Sequence, residues 1–137
     1  MNQHTYLRAY LAGIAVPTPF LLVIITGFCI ARYVYNIPVP IERVIMFPMA
    51  VVPNLWGFWN VLYVALHSRI HFPIGAHGAI LPCLLAPAGY LTARILDFPI
   101  PGVVHYAFPI GLPVAIILYY LVWKHFVGFL NGMLSIG

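Results

Sequence analysis

Four long apolar stretches without a single Asp, Glu, Lys or Arg dominate this sequence: residues 9–31, 44–66, 74–93 and 103–123. Each is 20 to 23 residues long. A helix needs about 20 apolar residues to cross the roughly 30 Å hydrocarbon core of a bilayer. A helix at the surface of a soluble protein keeps a polar face toward water, whereas these runs are apolar on every side. Nor do they alternate apolar and polar residues with the period of two that a membrane barrel strand requires. The expected fold class is an all-α integral membrane protein, a four-transmembrane-helix bundle forming a single domain over residues 1–137.

The charge inventory agrees. Only 6% of the residues are charged, against about 25% in soluble domains, too few to clothe a globule in water. The net charge of +4 is no nucleic-acid footprint, because such a patch clusters its basic residues on one face. Here Arg8, Arg32, Arg43, Arg69, Arg94 and Lys124 occur singly at the ends of apolar runs, as membrane-flanking charges do. No nucleic-acid partner is expected. Cys29 and Cys83 lie inside apolar runs and read as small buried hydrophobes.

The first run exceeds the roughly 7–15-residue apolar core of a signal peptide, so it reads as a retained span. The connections are short, which makes consecutive spans antiparallel neighbours. Four spans place both termini on one side. The basic residues divide evenly between the two sides, and Arg8 ahead of the first span is what assigns the termini to the cytoplasm.

Prolines supply the finer pattern. Each run carries two: Pro17 and Pro19, Pro48 and Pro53, Pro82 and Pro87, Pro109 and Pro113. A proline removes a backbone donor and crowds the preceding turn, and in lipid the freed carbonyls must find other partners. Proline-kinked helices are expected. The same residues trace an internal repeat. Gly13, Gly27, Ala31 and Arg32 recur 62 positions later as Gly75, Gly89, Ala93 and Arg94. After a slip of one residue, Pro38, Pro40, Phe47 and Pro48 recur 61 positions later as Pro99, Pro101, Phe108 and Pro109. The repeats would cover residues 4–66 and 67–130, each a two-span hairpin. Two hairpins in parallel topology are related by an axis along the membrane normal.

Two constellations are candidates for chemistry. Trp56, Asn60, Tyr63 and His67 recur at helical spacing along one stripe of the second span, with Trp59 beside them. An amide inside a bilayer needs a partner. Trp56, Trp59, Asn60 and Tyr63 therefore read either as an aromatic-walled ligand pocket or as an interhelical contact. His67, His71 and His77 fall on one side of the four-span topology, with His67 and His71 four residues apart. Imidazole is the commonest metal ligand, so these three are the candidates for zinc, copper or axial haem ligation. They also fit the helix ends of an interfacial belt. Glu42 beside Arg43, and Asp97 near Arg94, read as interfacial ion pairs capping the bundle.

The sequence contains no glycine-rich phosphate loop, no nucleophile elbow and no HExxH motif. No carboxylate pair is placed for general acid–base work. No acid sits inside a span, which argues against an antiporter driven by a buried carboxylate. The expectation is a small, non-enzymatic, polytopic membrane protein that binds or transports a small or amphipathic ligand as an oligomer. A structural or accessory transmembrane subunit of a larger membrane complex is one alternative. A haem- or metal-binding membrane protein using the histidine side is the other. The expected partners are the lipid bilayer and either further copies of the chain or other membrane subunits, and no resident cofactor is assigned.

Overall fold

A computed structural model describes residues 4–136, apart from the side chains of Phe47 and Pro48. Every regular element among the described residues is helical. Four helical stretches are long and apolar enough to cross a membrane: His4–Tyr33, Ile41–His67, Ile74–Ile95 and Val103–Met133, with mean hydropathy from 1.4 to 2.3. They overrun the apolar runs of the sequence, because a charge does not end a helix. Arg8, Arg32, Glu42, Arg43, Arg94 and Lys124 all sit inside helical turns, where the backbone ladder continues until a cap or a proline interrupts it.

The chain divides into two compact units, one running through residue 65 and the other covering residues 66–135. In the first, α1 (His4–Ala15) passes into α2 (Pro17–Tyr33) through Val16. Val16 keeps helical dihedrals, so Pro17 and Pro19 interrupt the hydrogen bonds without turning the chain away. The Thr18 hydroxyl donates to the Ile14 carbonyl at 2.7 Å and ties the two helices across the break. The second stretch begins as α3 (Ile41–Val44), widens into a π-helical segment at Ile45–Val51, and continues as α4 (Val52–His67). A π segment slips the ladder by one residue. It ends beside Pro53, which has no N–H to offer, and there the Asn54 amide donates to the Ala50 carbonyl at 2.5 Å.

Glycine decides how close α1 and α4 come. A β-carbon on Gly13 would overlap the backbone at Trp56 and Gly57, and one on Gly57 would overlap the Tyr10 ring. Small residues let helix backbones approach closely.

The second unit is built from α5 (Ile74–Ile95), α6 (Val103–Val122), a π-helical segment at Trp123–Val127, and α7 (Gly128–Met133). Pro82 and Pro87 stay inside a continuous α5, and Pro109 and Pro113 inside α6. Glycine again sets the contact, but at one end only. A β-carbon on Gly75 would meet the Tyr120 ring, and one on Gly78 would overlap Trp123. Trp123 and Val127 are fully buried there, and the His77 ring stands edge-on to Trp123 at 5.9 Å.

The helix-ending turns of the two units use one device. Asn36 and Asp97 both adopt φ of 54°, a left-handed conformation that short polar side chains tolerate. After α5 the Phe98 N–H donates to the Ala93 carbonyl at 2.7 Å and the Asp97 N–H to Arg94 at 3.3 Å, the two bonds of a Schellman cap. After α2 the Ile37 N–H reaches the Ala31 carbonyl at 2.9 Å, one residue further back along the chain. The first turn thus holds one residue more than the second, at the place where the sequence pairing slips from 62 to 61 positions. The side chains of Phe47 and Pro48, which that pairing matches to Phe108 and Pro109, lie outside the described residues.

Candidate functional site

The aromatic stripe on α4 is turned inward. Trp56, Asn60 and Tyr63 are buried, Asn60 completely, while Trp59 and His67 are half-buried. The Asn60 amide donates to the Ala9 carbonyl of α1 at 2.7 Å. One turn before the stripe, the Tyr10 hydroxyl donates to the Asn54 side-chain carbonyl, and the Tyr10 ring tilts against Phe58 at 5.2 Å. Polar groups of α4 thus meet α1 at two levels, on either side of the Gly13–Gly57 approach. The amide that needed a partner has one, and the Asn60 bond joins the two helices beside the close approach of the Trp56 backbone to Gly13.

The three histidines occupy three different settings. His67 closes α4, His71 is exposed in the following loop, and His77 is buried in the first turn of α5 against Trp123. Among the described residues, no three His, Cys, Asp or Glu side chains come together as a group that could hold a metal ion.

The open feature of the molecule lies elsewhere, along α5 and α6. Beyond the glycine-zipped end, the two helices enclose an apolar groove of about 430 Å³ between Pro82, Leu85 and Ala86 on α5 and Ala107, Gly111 and Ala115 on α6. Pro82 lines it directly, and small residues on α6 leave the space that a larger side chain would fill. A β-carbon on Gly111 would meet nothing within 4 Å. The groove continues into a second cavity of about 310 Å³ through the shared walls Ala86, Val104 and Phe108. That cavity in turn shares Tyr90, Ile100 and His105 with a polar mouth of about 520 Å³, where Arg94 and Asp97 stand. The result is one continuous trough, apolar along its length and charged at one end.

Electrostatics sets this mouth apart from its counterpart. In the first unit Arg32, at the end of α2, donates to Glu42 at 2.9 Å. The acid beside Arg43 in sequence thus pairs with an arginine ten residues back. In the second unit the expected pairing of Arg94 with Asp97 does not form among the described residues. Side chains three apart meet on a helix surface, but Asp97 lies past the end of α5 with φ of 54°, off the helical path that would bring them together.

Sequence reasoning missed Tyr90, Arg94, Asp97 and His105 as a group. The signal was present in Arg94, His105 and Asp97 clustering around the short 94–102 connection. Charges at span ends ordinarily cap a bundle, and that local pattern masks the cluster. No known protein family, no curated protein and no solved structure matches the chain.

Proposed function

We propose that the chain is a multi-pass integral membrane protein that binds an amphipathic ligand, without transforming it, in the trough between α5 and α6. The observation that carries this reading is the continuity of that trough from apolar walls to a charged mouth. Ligand sites combine an apolar lining with a few convergent polar groups, and this polarity gradient matches a molecule with a head and a tail. Four apolar helices of membrane-spanning length support the bilayer as the surrounding medium. Compared with the α4 stripe, the trough has room: the Asn60 amide is already bonded to the Ala9 carbonyl of α1, whereas Gly111 faces open space.

Native mass spectrometry of the protein, purified gently from its own membranes, tests the reading. The wild type should retain a lipid-sized adduct, one per chain. Gly111→Leu should remove it without lowering the unfolding temperature, because the new side chain enters empty space. An adduct equally abundant in wild type and variant would overturn the assignment.

One observation favours a second reading, the accessory subunit. No residue of α6 is buried, so the face of this membrane-length helix turned away from α5 is open to packing on another polypeptide. Stoichiometric co-purification of a foreign chain, with no lipid adduct, would select that reading instead.

A further inference from the structure

The mouth of the trough carries both signs of charge, and neither is spent. Arg94 ends α5, Asp97 follows in the turn, and Tyr90 and His105 complete the polar wall. No ion pair joins Arg94 to Asp97 among the described residues, and neither side chain is bonded to another described group. Arg32 shows what the fold does with an arginine at this point of a hairpin when it needs only to be neutralised: it supplies Glu42 at 2.9 Å. At Arg94 it supplies a cavity.

A head group of one sign fits this mouth poorly. An anion on Arg94 would face the Asp97 carboxylate, and a cation on Asp97 would face the guanidinium. A head carrying both signs satisfies both. A phosphate accepts from the planar guanidinium with well-matched geometry, and an ammonium group pairs with the carboxylate. Tyr90 in the same wall supplies an aromatic ring, a group that attracts cations. The tail is fixed by length. At ~1.5 Å per residue, the α6 wall from Val104 to Tyr119 runs about 22 Å. One leaflet offers roughly 15 Å, half of the hydrocarbon core, so a full acyl chain fits along the groove.

We propose that the site takes a membrane lipid with a zwitterionic head, phosphate toward Arg94 and ammonium toward Asp97, with one acyl chain lying in the α5–α6 groove. This rests on the reading of the trough as a ligand site.

The test uses the full chain in detergent micelles containing equal amounts of phosphatidylethanolamine, phosphatidylcholine and phosphatidylglycerol with identical acyl chains. Adducts are read by native mass spectrometry for the wild type, Arg94→Gln, Asp97→Asn and Gly111→Leu. Asparagine keeps the left-handed backbone that Asp97 needs, so Asp97→Asn folds. The wild type should carry mainly the two zwitterionic lipids. Asp97→Asn should lower the zwitterionic-to-anionic ratio by up to about fivefold, the upper end of what an exposed ion pair contributes. Arg94→Gln should reduce all phospholipid adducts, and Gly111→Leu should remove them.

Failure separates cleanly. If adducts form and Gly111→Leu removes them, but phosphatidylglycerol dominates or Asp97→Asn leaves the ratio unchanged, the zwitterionic assignment is wrong and the groove stands. If Gly111→Leu retains wild-type adducts, or the wild type carries none, the trough is not a ligand site and both readings fall.

Discussion

The two helical units treat matching parts differently. Each has an arginine in the last helical turn before a left-handed Asn or Asp, and each continues into a Pro-x-Pro segment. In the first, Arg32 is tied to Glu42. In the second, the position 61 residues after Glu42 is Val103, and Arg94 opens onto a cavity. The packing differs in the same sense. Gly13, Gly57 and the Asn60 bond lock α1 against α4. In the second unit Gly75 and Gly78 lock only one end, and α5 and α6 enclose a groove beyond it. Similar backbone signals therefore give a closed hairpin and an open one. The difference lies in a few side chains that supply, or withhold, an internal partner.

That contrast can be broken most forcefully at the zipped ends. Gly78→Leu drives a branched side chain into Trp123, and Gly13→Leu drives one into the α4 backbone. Overpacking of this kind costs about 1–3 kcal/mol and sometimes more. Both variants should unfold at clearly lower temperature in detergent, followed by circular dichroism. Gly111→Leu, with open space around it, should not. If all three behaved alike, the distinction between locked and open helix pairs would be lost.

Asn60→Leu should come next. It removes one buried interhelical hydrogen bond, worth about 0.6–2 kcal/mol within membrane helices. The loss should appear as stability, with lipid retention unchanged. A variant that kept its stability but lost a bound ligand would favour the α4 stripe, rather than the trough, as the binding pocket.

Val103→Glu asks whether a missing acid is what keeps the second mouth open. A carboxylate in the first turn of α6 suits the helix dipole and gives Arg94 the kind of partner that Arg32 has. Phospholipid adducts should fall by a few-fold, the scale of an exposed ion pair, with little change in stability. The smallest effect is expected for Glu42→Gln. The Arg32–Glu42 pair is exposed, so its removal should shift the unfolding temperature slightly at low salt and not at all at high salt.

Much of the fold was legible because the relevant forces are local. Uncharged runs such as 103–123 read as long apolar helices, and the short connections between the runs mark where the chain turns. Helix ends were less legible. The ladder runs on past Arg8 and Lys124, because a long basic side chain can lie along the helix and present its charge at the end. The π-helical segments at Ile45–Val51 and Trp123–Val127 left no signal in hydropathy.

The candidate site was hidden for another reason. As residue types the Trp56–Tyr63 stripe reads as a candidate pocket and the Arg94–Asp97 turn as a cap, and only packing shows which of their polar groups already have partners. The sequence by itself determined four apolar helices, the short connections between them and the scarcity of charged side chains, since each follows from residues close together in the chain. The tertiary structure alone decided that Asn60 finds the Ala9 carbonyl, that Arg32 finds Glu42, and that Arg94 finds neither Asp97 nor any other described partner. Whether a polar group is satisfied depends on which atoms from distant parts of the chain arrive within about 3 Å of it, and no local pattern encodes that arrival.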